Sequence, residues 1–139
     1  MKIWVFAESE GDKPTTATLE LLTKARELGT VECVYAGGNA AAIAPALGEH
    51  GAARVLAVDP GDQLVGVAAA SAIAGVVEAE APDLILFAQS YDGRDAIARL
   101  SVKLDRPIVT NGTDLKVDGD KVTVGTAIFG SNTHVDTQF

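Results

Sequence analysis

The sequence is poor in the features that mark several protein classes. It has a single cysteine, Cys33, so no internal disulfide can staple it, and its cysteine usage fits a reducing compartment. Val31, Val34 and Tyr35 around it read as a buried strand, which makes Cys33 a small core residue and not a reactive thiol. No apolar run approaches the ~20 residues needed to cross a bilayer. The amino terminus lacks the charged flank, apolar stretch and cleavage site of a secretion signal, so a cytoplasmic location is expected. Basic residues are also scarce. Eleven Lys and Arg face nineteen Asp and Glu, a formal charge of −8, which repels phosphate backbones and anionic lipid and argues against nucleic-acid or membrane partners.

What remains is a folding composition. At 139 residues, with 47% hydrophobic and 22% charged residues, the chain fits one domain, residues 1–139, with a core that needs no metal. Short apolar runs alternate with longer helical patterns, the signature of βα units around an open, mostly parallel sheet with helices on both faces. The expected strands are Ile3–Ala7, Val31–Tyr35, Arg54–Val58, Leu84–Ala88 and Ile108–Val109. Ile3–Ala7 and Leu84–Ala88 are almost unbroken apolar, as strands covered on both faces are.

Helices are expected over Pro14–Leu28, from Gly37-Gly38-Asn39 to about Gly48, over Leu64–Glu80 and over Asp92–Leu104. Pro45 predicts a kink or late start in the second. Ala68, Ala72 and Ala79, with Gly75 beside them, give the third a stripe of small residues for close packing. After Pro107 the pattern turns to strands. A hairpin turning at Gly119-Asp120 opposes Val117 to Val122 and Leu115 to Val124, whereas a turn at Asp118-Gly119 would oppose Lys116 to Lys121. The first register is chosen. A last strand is placed within Ala127–Val135.

Ligands in such sheets bind outside the carboxyl ends of the strands, where strand order reverses. The loop after the first strand, Glu8-Ser9-Glu10-Gly11-Asp12, puts three carboxylates where a dinucleotide would need glycines and N–H donors. Gly37-Gly38-Asn39 is friendlier to an anion but is equally a common turn. The loop Gln89–Asp95 offers a hydroxyl, a phenol, a glycine and an arginine together. Ser90, Gly93 and Arg94 are the candidate contact residues there, with a helix cap at Ser90 or Asp92 as the alternative. Arg99, Lys103 and Arg106 fall on one helical face by spacing and form a candidate docking face for an acidic neighbour. His50 and His134 have no ligand-like partners nearby, and no nucleophile elbow, P-loop or paired carboxylates are present, so no catalytic, cofactor-binding or metal residue is assigned.

Taken in order, these segments resemble the amino-terminal domain of electron transfer flavoprotein alpha subunits. The likeness is carried by Ile3-Trp4-Val5-Phe6-Ala7-Glu8, by Gly51-Ala52-Ala53-Arg54-Val55, and by Asp83–Ala88 followed by Gly93-Arg94-Asp95 and Ala98-Arg99-Leu100. Asn111–Leu115 and Ile128-Phe129-Gly130-Ser131-Asn132 complete it. The resemblance implies a Rossmann-like fold of the adenine nucleotide alpha hydrolase type. It further implies a non-catalytic scaffold that pairs with a beta subunit in an electron carrier serving flavin dehydrogenases and a quinone reductase or other acceptor. FAD in that family is held mainly by the alpha subunit's second domain. The sequence stops at Thr137-Gln138-Phe139, where the family chain would continue into that domain, so no FAD-binding residue is carried over and the chain alone is expected to bind none. The competing expectation is a stand-alone nucleotide-binding module of universal-stress-protein type. Its late glycines, Gly112, Gly119, Gly125 and Gly130, lack the close pairing that wraps phosphates.

Overall fold

A computed structural model describes all residues, Met1–Phe139. Contacts divide the chain into two compact units, Met1–Arg106 and Pro107–Phe139, and each is described by itself.

The first unit is built on a parallel sheet of β1 (Lys2–Ala7), β4 (Thr30–Ala36), β5 (Ala52–Val58) and β6 (Leu84–Leu86), in the order β5-β4-β1-β6. Crossovers run through α1 (Thr16–Ala25), α2 (Ala40–Glu49) and α3 (Val65–Glu80), and α4 (Tyr91–Leu104) follows β6. Alternation along β1 sorts its side chains between two cores. Ile3, Val5 and Ala7 meet Leu22 and Ala25 of α1 and Ile43 and Leu47 of α2. Trp4 joins Ala70 and Ile73 of α3 and Leu100 of α4, and Phe6 joins Ala69 and Ala96. Ile3–Ala7 are all 0–1% exposed, which is why that stretch has no polar residue.

Several boundaries differ from the sequence expectation. Helix α1 begins at Thr16, with the Thr15 hydroxyl accepting the Thr18 amide as its N-cap. Pro14 lies before it in β3 (Lys13–Pro14), which pairs with β2 (Ser9–Glu10) as a small antiparallel ribbon inside the first loop. The helix ends at Ala25, since Gly29 must press against the Met1 carbonyl before β4 pairs with β1. Pro45 does not delay α2, which starts at Ala40. In α3 the buried residues are Gly66, Ala68, Ala69, Ala70 and Ile73, while Gly75 and Ala79 are exposed. The expected alanine stripe is therefore rotated, because bulky Ile73 gains more by burial than an alanine does and takes the inward position.

Strand β6 stops at Leu86, after pairing Ile3 with Leu84, Trp4 with Ile85 and Val5 with Leu86. Phe87 and Ala88 leave the ladder, and the Ala88 carbonyl sits where a side chain on Gly93 would go. Ile108–Val109 is not a strand. Residues 106–110 are irregular and Ile108 is partly exposed, consistent with Pro107 supplying no N–H to a ladder.

A charged network lies at the amino-terminal edge of the sheet. The buried Trp4 indole donates to Glu32 at 2.9 Å, Arg54 bonds Glu32 and Glu80, and Lys2 reaches Glu80 at 2.8 Å. Hydrogen bonds from Arg54 and Lys2 hold the Glu80 carboxyl down at about 2. For Glu32, burial works upward, but bonds from Arg54 and Trp4 outweigh it and leave the group below its ordinary value. A folded-state pKa below the unfolded one stabilises above the unfolded value and loses that contribution as pH falls through the folded value. Urea midpoints should therefore fall between about pH 4.5 and pH 2, and Glu80→Gln should flatten that fall.

The second unit is an antiparallel meander of β7 (Gly112–Asp118), β8 (Lys121–Ile128) and β9 (Thr133–Gln138), in that order. The register pairs Leu115 with Val124, Val117 with Val122 and Asp118 with Lys121, so the turn is at Gly119-Asp120 as expected. Opposed Asp118 and Lys121 reinforce this choice. The last strand starts later than expected and runs on to Gln138, because Ala127 and Ile128 extend β8.

Candidate functional site

With the order β5-β4-β1-β6, the chain leaves β1 toward β4 on one side and returns to β6 on the other. Strand order therefore reverses between β1 and β6, and the crevice for ligands in such folds lies outside their carboxyl ends. The loops after β1, β4 and β6 converge there.

Side chains of the protein itself bridge this mouth. Ser90 is the N-cap of α4, where its hydroxyl oxygen accepts the Gly93 amide at 2.8 Å and its hydrogen goes to the Glu8 carboxylate at 2.6 Å. That single hydroxyl ties the β1 loop to the β6 loop across the reversal point. A second seam joins the β1 and β4 loops. Tyr35 donates its phenol to the Asn39 side chain and is bonded by Ser9 at 2.8 Å. The Asn39 amide then donates to the Gly11 carbonyl at 2.8 Å and to Asp12 at 3.0 Å. Of the turn Gly37-Gly38-Asn39, Asn39 is thus engaged with an acidic loop, and the Gly37 amide is taken by the Val58 carbonyl at 2.9 Å. Beneath the mouth, the Phe6 and Phe87 rings pack at 5.5 Å.

Burial raises the Glu8 carboxyl above its ordinary value; the Ser90 bond works downward and the neighbouring Asp92 charge upward. A raised folded-state pKa contributes stability below the unfolded value, and that contribution is lost as pH rises through the folded value. Glu8→Gln, which keeps an oxygen to accept from Ser90, is accordingly expected to stabilise the protein at pH 7. The gain should vanish by about pH 4, and denaturant midpoints at both pH values check it.

The remaining candidate residues fall in three settings. Gly93 is buried under the Ala88 carbonyl, and Arg94 lies over the Tyr91 ring at 5.3 Å while its Nε donates to the Ser90 carbonyl at 3.3 Å. No carboxylate pairs with the Arg94 guanidinium, and Tyr91 is 88% exposed. Arg99 is paired with Asp95 at 2.8 Å, one turn back on α4. Lys103 is in the last turn. Arg106 is not on the helical face inferred from spacing, because Asp105 turns left-handed at φ 50° and ends the helix before it. The structure therefore gathers Ser90, Gly93 and Arg94 at the mouth and leaves Arg106 outside the α4 surface. The sequence reading named Ser90 but missed its bond to Glu8. The available signal was that both residues follow strands, β1 and β6, which prove to be neighbours.

Elsewhere, a shallow groove of about 340 Å³ runs along α1 past Glu20, Lys24, Glu27 and His50. None of the crevice residues lines it. Burial pushes the Cys33 thiol up to about 12, as for an inert core residue. No group of three or more His, Cys, Asp or Glu side chains is arranged to hold a metal ion, and no helix is long and apolar enough to cross a membrane.

Fold and site together define an open α/β domain whose ligand crevice is occupied by its own polar side chains. The model of the electron transfer flavoprotein domain family matches residues 3–139, and the chain belongs to that family. It is 29% identical over 130 residues to an electron transfer flavoprotein subunit alpha from Syntrophomonas wolfei, covering 91% of this chain and 41% of that protein. The corresponding subunit alpha of Mycobacterium tuberculosis is 30% identical over 123 residues, 86% of this chain and 38% of its own length. An acryloyl-CoA reductase electron transfer subunit beta from Anaerotignum propionicum is 29% identical over 126 residues, 86% of this chain and 34% of its own. The chain thus spans well under half of these relatives.

The family implies FAD, and the crevice lining can be tested against its diphosphate. A phosphate at the mouth would meet Glu8 and Asp12 and would have to displace the Ser90 and Asn39 bonds. Like charges in a partly dry crevice repel, and Arg94, the basic side chain at the mouth, is bonded to the Ser90 carbonyl and lies over the Tyr91 ring. The residues present do not fit a flavin diphosphate.

Proposed function

We propose that this chain is a non-catalytic docking domain of an electron transfer flavoprotein, the amino-terminal domain of its alpha subunit. It pairs with a beta subunit in an assembly that carries electrons from flavin dehydrogenases to a quinone reductase or other acceptor. It binds no flavin itself, and FAD is held by other parts of the assembly. The observation that carries this reading is the Ser90–Glu8 bond across the crevice, which gives the usual ligand position to the protein's own side chains. Alongside it, Tyr91 and Arg94 stand exposed at the start of α4, the residue types that anchor protein interfaces. A stand-alone nucleotide-binding module is the competing reading, and the acidic mouth argues against it.

The test is association of the purified chain with its cognate beta subunit, followed by calorimetry and size exclusion. The expected result is a one-to-one complex, with no flavin absorbance from the chain alone. Absence of heat and of a complex, with both partners folded, would remove this reading.

A further inference from the structure

The turn between β8 and β9 carries an unusual combination of strain and exposure. Phe129, Gly130 and Ser131 all have positive φ, at 51°, 65° and 69°. Glycine adopts that region freely, but a bulky aromatic residue does so only when the surroundings impose it. Here Asn132 imposes it, since its backbone N–H (3.3 Å) and its side-chain amide (3.0 Å) both donate to the Phe129 carbonyl. The ring gains no burial in return, because Phe129 is 78% exposed. Ile128 and Val135, at 37% and 38% exposure, share one face of the adjoining strands, as the pairing of Thr126 with Val135 requires. From Val122 to Val135 the chain has no Asp, Glu, Lys or Arg, in a protein whose net charge is −8.

We propose that Phe129 is a preorganised anchor for the partner subunit of the electron-transfer assembly, and that Asn132 is its positioning residue. This rests on the beta-subunit pairing proposed above. Strain at an exposed aromatic is retained where the held geometry serves binding, and holding the ring in place beforehand lowers the ordering cost of association. The occupant is a folded protein surface with an uncharged apolar pocket, because interface centres are depleted in charge and enriched in aromatics. A second copy of this chain is the weaker fit, since it would bring the same −8 charge toward this one.

The experiment measures affinity of the chain for its cognate beta subunit, and the melting temperature of the chain alone, for wild type, Phe129→Asn and Asn132→Ala. Asparagine tolerates positive φ, so Phe129→Asn removes the ring without disturbing the turn. It should weaken binding by about 30-fold, the scale of an interface hot spot, and leave the melting temperature unchanged or higher. Asn132→Ala, which keeps the ring but frees the turn, should weaken binding by a smaller factor. Wild-type affinity in Phe129→Asn would overturn the proposal while leaving the pairing intact, whereas no binding by wild type would remove both. Concentration-dependent self-association abolished by Phe129→Asn would assign the tip to a second copy and would also overturn it.

Discussion

Replacing Trp4 by alanine should lower the unfolding free energy by about 4 kcal/mol, the range for removing a fully buried aromatic side chain. Trp4 is 0% exposed and packs with Val34, Ala70, Ile73 and Leu100, so the sheet and two helices lose a common partner. The indole also donates to Glu32, whose remaining partners are Arg54 and Lys2. Trp4→Phe separates the two contributions. It keeps most of the ring and drops the N–H, and should cost about 1–2 kcal/mol. Because Trp4 is the only tryptophan, unfolding of both variants must be followed by circular dichroism. A loss below about 1 kcal/mol for Trp4→Ala would be inconsistent with a packed core here, since it is a sizeable part of a stability of order 5–15 kcal/mol.

The second large effect is expected at Gly93. An added Cβ there would overlap the Ala88 carbonyl oxygen and crowd the Ser90 hydroxyl. The first obstacle is backbone and cannot swing aside, so the strand-to-helix connection must move. Gly93→Ala should destabilise by about 2–3 kcal/mol, as overpacking does, and displace the cap that accepts from residue 93. Movement of Ser90 should also break its bond to Glu8. Combining Gly93→Ala with Glu8→Ala, which removes the acceptor of the Ser90 hydroxyl, in a double-mutant cycle should then give non-additive midpoints, because the two residues act through one hydroxyl. Additivity within about 0.5 kcal/mol would mean that cap and seam are independent.

Much of the fold could be read from the chain because local chemistry and tertiary arrangement agree. The apolar run Ile3–Ala7 requires cover on both faces, and α1 with α2, and α3 with α4, supply it. The β7–β8 register could be read because the alternative turn at Asp118-Gly119 would set Lys116 against Lys121. Legibility ends where tertiary context decides between similar options. In α3, a run of alanines and valines gives every face nearly equal claim to the core, so the inward face was misplaced. Ile108–Val109 has strand-forming residues but no ladder partner. The spacing of Arg99, Lys103 and Arg106 holds only if the helix continues, and Asp105 ends it.

The crevice was legible in its charge and not in its connections. Glu8, Glu10 and Asp12 announced an acidic mouth from their position after β1. Eighty-two residues separate Glu8 from Ser90, and only the placement of β6 beside β1 brings them together. Likewise, Gly37-Gly38-Asn39 cannot be classed as turn or anion cradle until Tyr35 and the Gly11 carbonyl are seen to claim Asn39.

The most direct measurement is the melting temperature of the purified chain titrated with AMP, ATP and FAD at neutral pH. A ligand present at a hundred times its dissociation constant stabilises by about 2.7 kcal/mol, which is easily resolved. With the mouth closed by Glu8 and Ser90, no saturable shift is expected with any of the three. A saturable rise that disappears when Glu8 is replaced by a bulkier acceptor-free side chain would place a nucleotide in the crevice and contradict that expectation.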